Sequence, residues 1–319
     1  NTEITIALGR TNTNRIKQGS VTGRTASTSW LSIISPIVND TSGNPLALAS
    51  VDHYSAVEIT KFTRDENKPL LMKWTYDVYP GIIALYFNEV IEADSFNFSS
   101  IALTSHSGPH NSRVIVRLNA DVIREKQTID SDIYKIRLAQ TLYDDITAMP
   151  TMLNFNSNSY LVVDDGVAWD TSPQQNKFYD NSTTLTNARN IHTLIPDTVR
   201  PEIRSAVLNM TSKQLIIGFQ KNVRTSSILL SALTIQNTIS GGDETKIFSN
   251  SDATVVIPIR DSRYSTIQLE SSGFNYLKAA TSLGKSIGSS FIAFTISLLE
   301  DKAFVPNKVV NIPTSEGFQ

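Results

Sequence analysis

The sequence predicts an all-β protein made of tandem antiparallel two-sheet sandwiches. Three observations carry this prediction. Blocks of the chain match one another at a spacing of about 131 residues. Short runs alternate apolar and polar residues with period two, the mark of strands with one buried face. No apolar pattern at helical spacing extends far enough for a long helix.

The repeat decides the architecture before any local element does. Ser29-Trp30-Leu31-Ser32-Ile33 matches Ser159-Tyr160-Leu161-Val162-Val163 and Ser290-Phe291-Ile292-Ala293-Phe294, at offsets of 130 and 261 residues. Without a gap, the same offsets align Ile6 and Leu8 with Ile136 and Leu138, and with Ile267 and Leu269. They also align Ile16 with Ile146 and Leu277, and Asp40 with Asp170 and Asp301. Between these blocks, Asp65-Glu66-Asn67-Lys68-Pro69 pairs with Asp197-Thr198-Val199-Arg200-Pro201 at an offset of 132, and Leu85-Tyr86-Phe87 pairs with Ile217-Gly218-Phe219. The chain therefore divides into the C-terminal part of a first repeat (1–65), a complete repeat (66–197) and a third repeat (198–319) that stops short of its last strand. Both ends read as cuts through a longer array, since the N-terminus has neither an initiator Met nor the charged-then-apolar pattern of a signal peptide.

Within the copies, strands are expected at Ile4-Ile6-Leu8, Ile101-Leu103, Val114-Val116-Leu118, Leu215-Ile217-Phe219, Val255-Ile257-Ile259 and Ile267-Leu269. Turns are expected where Gly, Asn, Asp, Ser and Pro cluster: Asp40 to Pro45, Ser105 to Pro109 and Ser240 to Asp243. Short helical pieces fit only Asn14 to Gln18, Leu142 to Thr147 and Asn275 to Thr281. About seven short strands per repeat favour a two-sheet sandwich over a barrel or an α/β fold. Trp30, Tyr160 and Phe291 share one repeat position, and three different rings there indicate a core site rather than a stacking platform for a ligand.

Several of these residues resemble a known family. Asp197-Thr198-Val199-Arg200-Pro201 followed by Leu215 to Val223, the cognate Phe87-Asn88-Glu89-Val90, and the turn Val38-Asn39-Asp40-Thr41-Ser42-Gly43-Asn44-Pro45 are similar to bacterial-type immunoglobulin-like and cadherin-like extracellular surface repeats. The resemblance implies tandem immunoglobulin-like antiparallel β-sandwich domains with short helical insertions, in an extracellular protein that is structural or adhesive. The second and third copies depart from the turn pattern, with Asp170-Thr171-Ser172-Pro173 and Asp301-Lys302-Ala303-Phe304 in place of the Gly-Asn sequence.

Composition narrows the functions. The 319 residues carry 28 Lys+Arg and 30 Asp+Glu, a formal charge of −2, and the bases are dispersed, which argues against a nucleic-acid partner. The most apolar run, Phe291 to Leu299, is too short for a membrane span and is broken by Thr295 and Ser297. The chain has no cysteine, which excludes disulfides, thiol nucleophiles and thiolate metal sites.

No nucleophile elbow, phosphate-cradling glycine loop, zincin helix or calcium-hand loop occurs, so enzymatic activity is not expected. His106 and His110 form the closest histidine pair, but a metal site needs a third ligand. Asp144-Asp145 and Asp164-Asp165 read as solvated turn residues. No cofactor is called for. Calcium is the one ion that acidic interdomain linkers suit, through Asp65, Glu66 and Asp197, with Arg64, Lys68 and Arg200 opposing it. Asn39, Asn97, Asn181 and Asn209 head glycosylation sequons at about the chance frequency for this composition.

The expected function is an extracellular structural protein, a segment or subunit of a fibre, stalk or surface appendage. Its expected partners are other copies of itself or adjoining repeats. The competing expectation is a cell-surface adhesin whose repeats serve as spacers or bind glycan or protein; an accessory module of a secreted hydrolase ranks third.

Overall fold

The structure, a computed structural model, describes residues 3–19, 21–35, 37–46, 56–149, 151–180, 184 and 186–319. The chain is mostly β, with several antiparallel sheets and few helices. It groups into two compact units. The first comprises Asn1–Thr75, Ile83–Arg137 and Tyr160–His192; the second comprises Tyr76–Ile82, Leu138–Ser159 and Thr193–Gln319.

The N-terminal stretch holds helix α1 (Arg10–Gln18) and the antiparallel pair β1 (Trp30–Leu31) and β2 (Val57–Glu58). Strands β3 (Leu71–Asp77), β4 (Ile82–Ile91), β5 (Ile101–Thr104), β6 (Ile115–Arg117), β7 (Ile123–Lys126) and β8 (Ser131–Leu138) follow. Helix α2 (Gln140–Ala148) precedes β9 (Tyr160–Val163), β10 (Arg189–Asn190) and β11 (Thr193–Ile195). The remaining elements are β12 (Ile203–Asn209), β13 (Gln214–Phe219), β14 (Leu233–Thr238), β15 (Gly241–Ile247), β16 (Ala253–Val256), β17 (Tyr264–Leu269), α3 (Ser271–Ala279) and β18 (Phe291–Phe294).

Besides the β1-β2 pair, the described residues form four sheets, ordered β11-β3-β4-β8-β7, β10-β9-β5-β6, β12-β13-β17-β16 and β15-β14-β18. The order β3-β4-β8-β7 recurs as β12-β13-β17-β16, and β9-β5-β6 recurs as β18-β14-β15. Among the described residues there are three α-helices, each nine residues long, beginning at Arg10, Gln140 and Ser271, offsets of 130 and 261. Strands β1, β9 and β18 begin at Trp30, Tyr160 and Phe291 with the same offsets. Each helix starts earlier than its apolar residues indicate. Gly9, Ala139 and Glu270 make no side-chain capping bond, so the sequence carries no start signal there.

In the second unit the inner faces of two sheets share one core. Leu215, Ile217 and Phe219 of β13, Ile267 and Leu269 of β17, Leu233 and Ile235 of β14, and Ile292 and Phe294 of β18 all belong to it. Burying each such side chain contributes about 1.5–3 kcal/mol. This arrangement fits a β-sandwich. Strand β16 ends at Val256, and Ile257 and Ile259, expected in a strand, are exposed beyond it.

The N-terminal stretch differs in packing. Ile136, Leu138, Ile267 and Leu269 are buried, but their equivalents Ile6 and Leu8 are exposed and lie outside any strand. Trp30, expected in a core, is 52% exposed, whereas Phe291 is buried. Among the described residues from 3 to 46, only Ser29 is buried, so these apolar positions are not packed into a core there. No helix among the described residues is long and apolar enough to cross a membrane.

Helix α3 approaches its sheet closely at Gly273, where an added Cβ would lie 2.4 Å from the Asp252 carbonyl oxygen. Because the obstacle is backbone, Gly273→Ala is expected to lower stability by about 1–3 kcal/mol, the range for overpacking. Urea denaturation checks this, and an unchanged midpoint would refute the close approach.

Candidate functional site

The repeat-equivalent aspartates form three similar turns. Asp170 Oδ1 accepts hydrogen bonds from the backbone N–H groups of Ser172 (3.1 Å) and Asn176 (2.9 Å), while its Oδ2 accepts from Asn176 Nδ2 (3.0 Å). Asp301 does the same with Ala303 N (3.0 Å), Asn307 N (2.8 Å) and Asn307 Nδ2 (3.0 Å). Asp40 does so with Ser42 N, Asn44 N and Asn44 Nδ2, each at 2.8 Å. A short carboxylate accepting nearby N–H groups is the ordinary Asx-turn device.

In two copies the turn asparagine also reaches the linker. Asn176 Nδ2 donates to the Asp65 carbonyl at 2.9 Å, and Asn307 Nδ2 donates to the Asp197 carbonyl at 3.0 Å. One amide thus ties a turn late in the copy to the linker at its start, over 110 residues of chain. Sequence reasoning missed both asparagines. They follow their aspartates by six residues, whereas Asn44 follows Asp40 by four, so a search for the Gly-Asn pattern passes over them.

A lysine completes each cluster. In the second unit, the Lys221 ammonium meets Asp197 Oδ2, Asp301 Oδ2 (2.6 Å) and the Val199 carbonyl (2.6 Å). Three acceptors match the three N–H bonds of an ammonium, and the Lys221 side chain is only 2% exposed. Burial pushes the Asp197 carboxyl above its usual range, and the nearby Asp301 charge adds to the rise although Lys221 opposes it.

In the first unit the lysine arrives from α1. Lys17 Nζ lies 2.5 Å from Asp65 Oδ2 and 2.6 Å from Glu89 Oε2. Glu89 occupies the position of Lys221, one offset of 132 earlier. Carboxylate oxygens of Asp65, Glu89 and Asp170 all lie within 4.8 Å of one another, a spacing that suits one shared cation. The Lys17 ammonium contacts two of the three. Burial raises the Glu89 pKa, and the charges of Asp65 and Asp170 add to this against Lys17; one of its oxygens, Oε1, is buried without a partner. Burial also pushes Asp65 up, but hydrogen bonds from Lys17 and Asn67 outweigh it and hold Asp65 below its usual value. Of the sequence-derived calcium candidates, Asp65 joins this group, Glu66 is exposed and outside it, and Asp197 sits with Lys221 in the second unit.

The helices add a second set of contacts. Arg10 Nη2 of α1 pairs with Asp132 Oδ2 at 2.8 Å and donates to the Phe87 carbonyl at 2.5 Å. Asp144 Oδ2 of α2 pairs with Arg263 Nε at 2.8 Å, and Asn222 Nδ2 donates to the Asp144 carbonyl and to Thr147 Oγ1, both at 2.7 Å. Beside α2 lies a cavity of about 320 Å³ lined by Val78, Phe155, Asn156, Pro196 and Phe304, among others.

No protein-family model and no curated protein matches the chain. The chemistry is therefore read from these clusters alone.

The other sequence candidates lie apart. His106 and His110 stack, with ring centres 3.8 Å apart, and their Nδ1 atoms bond to Ser105 Oγ and to the Ser112 backbone N–H. Asp164 pairs with Arg117, and Asp165 accepts from the Asp180 backbone N–H. Asn39, Asn97 and Asn209 are exposed, and Asn181 lies outside the described residues.

Lys221→Met leaves the buried Asp197 and Asp301 carboxylates without their cation, and a loss of about 3–5 kcal/mol is expected. Adding D197N and D301N to the same chain should restore most of it; urea melts that show no loss for the single variant would refute the cluster's role. Glu89 gives a pH signature of definite sign. Its folded-state pKa is raised, so its contribution is fully present below the ordinary glutamate value of 4.5 and is lost as pH rises through the folded value. Glu89→Gln should therefore flatten the fall in thermal stability above pH 4.5, and parallel wild-type and variant profiles would contradict this assignment.

Proposed function

We propose that the chain is a segment of an extracellular structural repeat protein, in which immunoglobulin-like β-sandwich domains of about 131 residues stand in tandem and build a fibre, stalk or surface appendage. The observation that carries this reading is the duplicated lock, Asp170-Asn176-Asp65 with Lys17 and Asp301-Asn307-Asp197 with Lys221. Sites for catalysis or recognition need no second copy, but joints in an array do.

The recurrent strand order and the helices at matching offsets support the tandem part of the reading. The extracellular part rests on the resemblance of the linker and strand motifs to surface repeats. A free linker leaves neighbouring domains to rotate independently. In this chain the linker carbonyl and carboxylate at Asp65 and Asp197 are both engaged, which suits an element that must hold a direction over many repeats. Each domain would contribute its own core, and length would follow from copy number.

Negative-stain electron microscopy of the protein from its native source is expected to show regular filaments with a repeating contact. Isolated flexible strings of beads would refute the fibre and direct attention to a spacer role.

A further inference from the structure

We propose that the cavity beside α2 is a binding site for a neutral aromatic small molecule that carries an N–H or O–H donor. The inference goes beyond the fibre reading and does not depend on it.

The cavity lies within the second compact unit, since the residues that line it fall within 76–78, 143–156, 194–197, 221–222 and 302–304. Its volume of about 320 Å³ is at the lower end of the range for small-molecule sites. Most of its wall is apolar, with Val78, Ile146, Leu194 and Pro196 among the lining residues. Two rings stand at the mouth. Phe155 and Phe304 pack edge to face with centres 5.0 Å apart, yet they remain 45% and 69% exposed.

The repeat calls for neither ring. Phe155 stands directly before a single turn of 3₁₀ helix (Asn156–Asn158), where the other two copies place Thr25 and Ser286. A hydroxyl residue suits that position because its oxygen can bond within the turn it precedes. Thr25 Oγ1 lies 2.8 Å from Thr28 Oγ1, and Ser286 Oγ lies 3.1 Å from Ser289 Oγ. Phe155 gives up that bond and exposes a ring instead. Phe304 stands at the position of Pro173. At the corresponding place in the first unit, Arg24, the equivalent of Asn154, donates to the Thr171 carbonyl, and Thr25 and Pro173 replace both rings. Exposed rings that the fold does not require, set at the rim of a cavity, are the mark of a ligand site rather than of a core.

The polar groups define the ligand. Asn222 Nδ2 donates to the Asp144 carbonyl and to Thr147 Oγ1, which fixes the amide and leaves Oδ1 as an acceptor. That oxygen and the Tyr76 hydroxyl are buried with no hydrogen-bond partner among the described residues, and both side chains line the cavity. Burial, with the charges of Asp77 and Asp197 adding to it, pushes the Tyr76 phenol up, so it keeps its proton and can donate or accept. A ligand N–H or O–H satisfies Asn222 Oδ1. Charge is disfavoured, because the Lys221 ammonium is used by its three oxygens and Lys302 pairs with Asp261 at 2.9 Å. An ionic ligand would enter without a counter-charge of its own.

Fluorescence titration of the whole chain with N-phenyl-1-naphthylamine, which is neutral, aromatic and has one N–H, tests this. One saturable site with blue-shifted, enhanced emission is expected. The anionic relative 8-anilinonaphthalene-1-sulfonate should bind about tenfold more weakly or worse. F155S/F304A, whose serine is the residue of the third copy, should lower affinity by about tenfold. Y76F should lower it by about three- to tenfold, the scale of one hydrogen bond, without lowering the thermal midpoint, since the hydroxyl has no partner to lose. Absence of saturable binding, unchanged affinity in F155S/F304A, or equal or tighter binding of the sulfonate overturns the proposal. If F155S/F304A does not fold, judged by circular dichroism, Y76F decides: affinity equal to that of the wild type overturns it.

Discussion

The buried ammonium of Lys221 is the contact on which the second unit's linker depends. Three oxygens from two separate segments converge on it: Asp197 and Val199 in the linker, and Asp301 in the late turn. Taking a charged amine and two carboxylates out of water costs several kcal/mol for each ion, and the ion pairing does little more than offset that cost. What the cluster contributes is position. An alternative linker path would leave at least one buried charge without its counterpart, and the Asn307 amide fixes the same linker through its carbonyl. Path and register are thereby selected more strongly than stability is increased.

The first unit meets the same constraint with a different distribution of charge. The aspartates and the turn asparagine are retained, but the position that supplies Lys221, just past β13, supplies Glu89 in β4, and the cation comes from Lys17, 72 residues earlier in the chain. The first cluster then contains three carboxylates and one ammonium, against two and one in the second. That excess explains the opposite shifts within it. Asp65, with bonds from both Lys17 and Asn67, is held low, while Glu89, with one buried oxygen unpartnered, is held high. A cation delivered by a helix makes the linker's order depend on that helix. A cation delivered from just past the unit's own β13, as Lys221 is, does not carry that dependence.

Much of the fold was legible because its signals are local. Period-two runs such as Leu215-Ile217-Phe219 became strands with the expected inward face, and the matching offsets located three helices whose first turns had no capping signal. The aspartates of the site were legible for the same reason, since Asp40, Asp170 and Asp301 stay in register and each bonds within its own turn. Their partners were not. Lys17, Glu89 and Lys221 are ordinary surface-type residues in sequence, and only chain reversals over tens of residues bring them to a common point. Trp30 failed in the opposite direction. Its repeat position is a core position in the third copy, but a side chain is buried only where other elements pack over it, and among the described residues from 3 to 46 only Ser29 is buried.

The unit of sequence and the unit of packing are therefore different objects. The period places α2 inside the copy from 66 to 197, but compactness groups Leu138–Ser159, with the turn Tyr76–Ile82, among the residues of the second unit. One ion pair and two hydrogen bonds hold α2 in that unit: Asp144 pairs with Arg263, and Thr147 Oγ1 and the Asp144 carbonyl accept from the Asn222 amide.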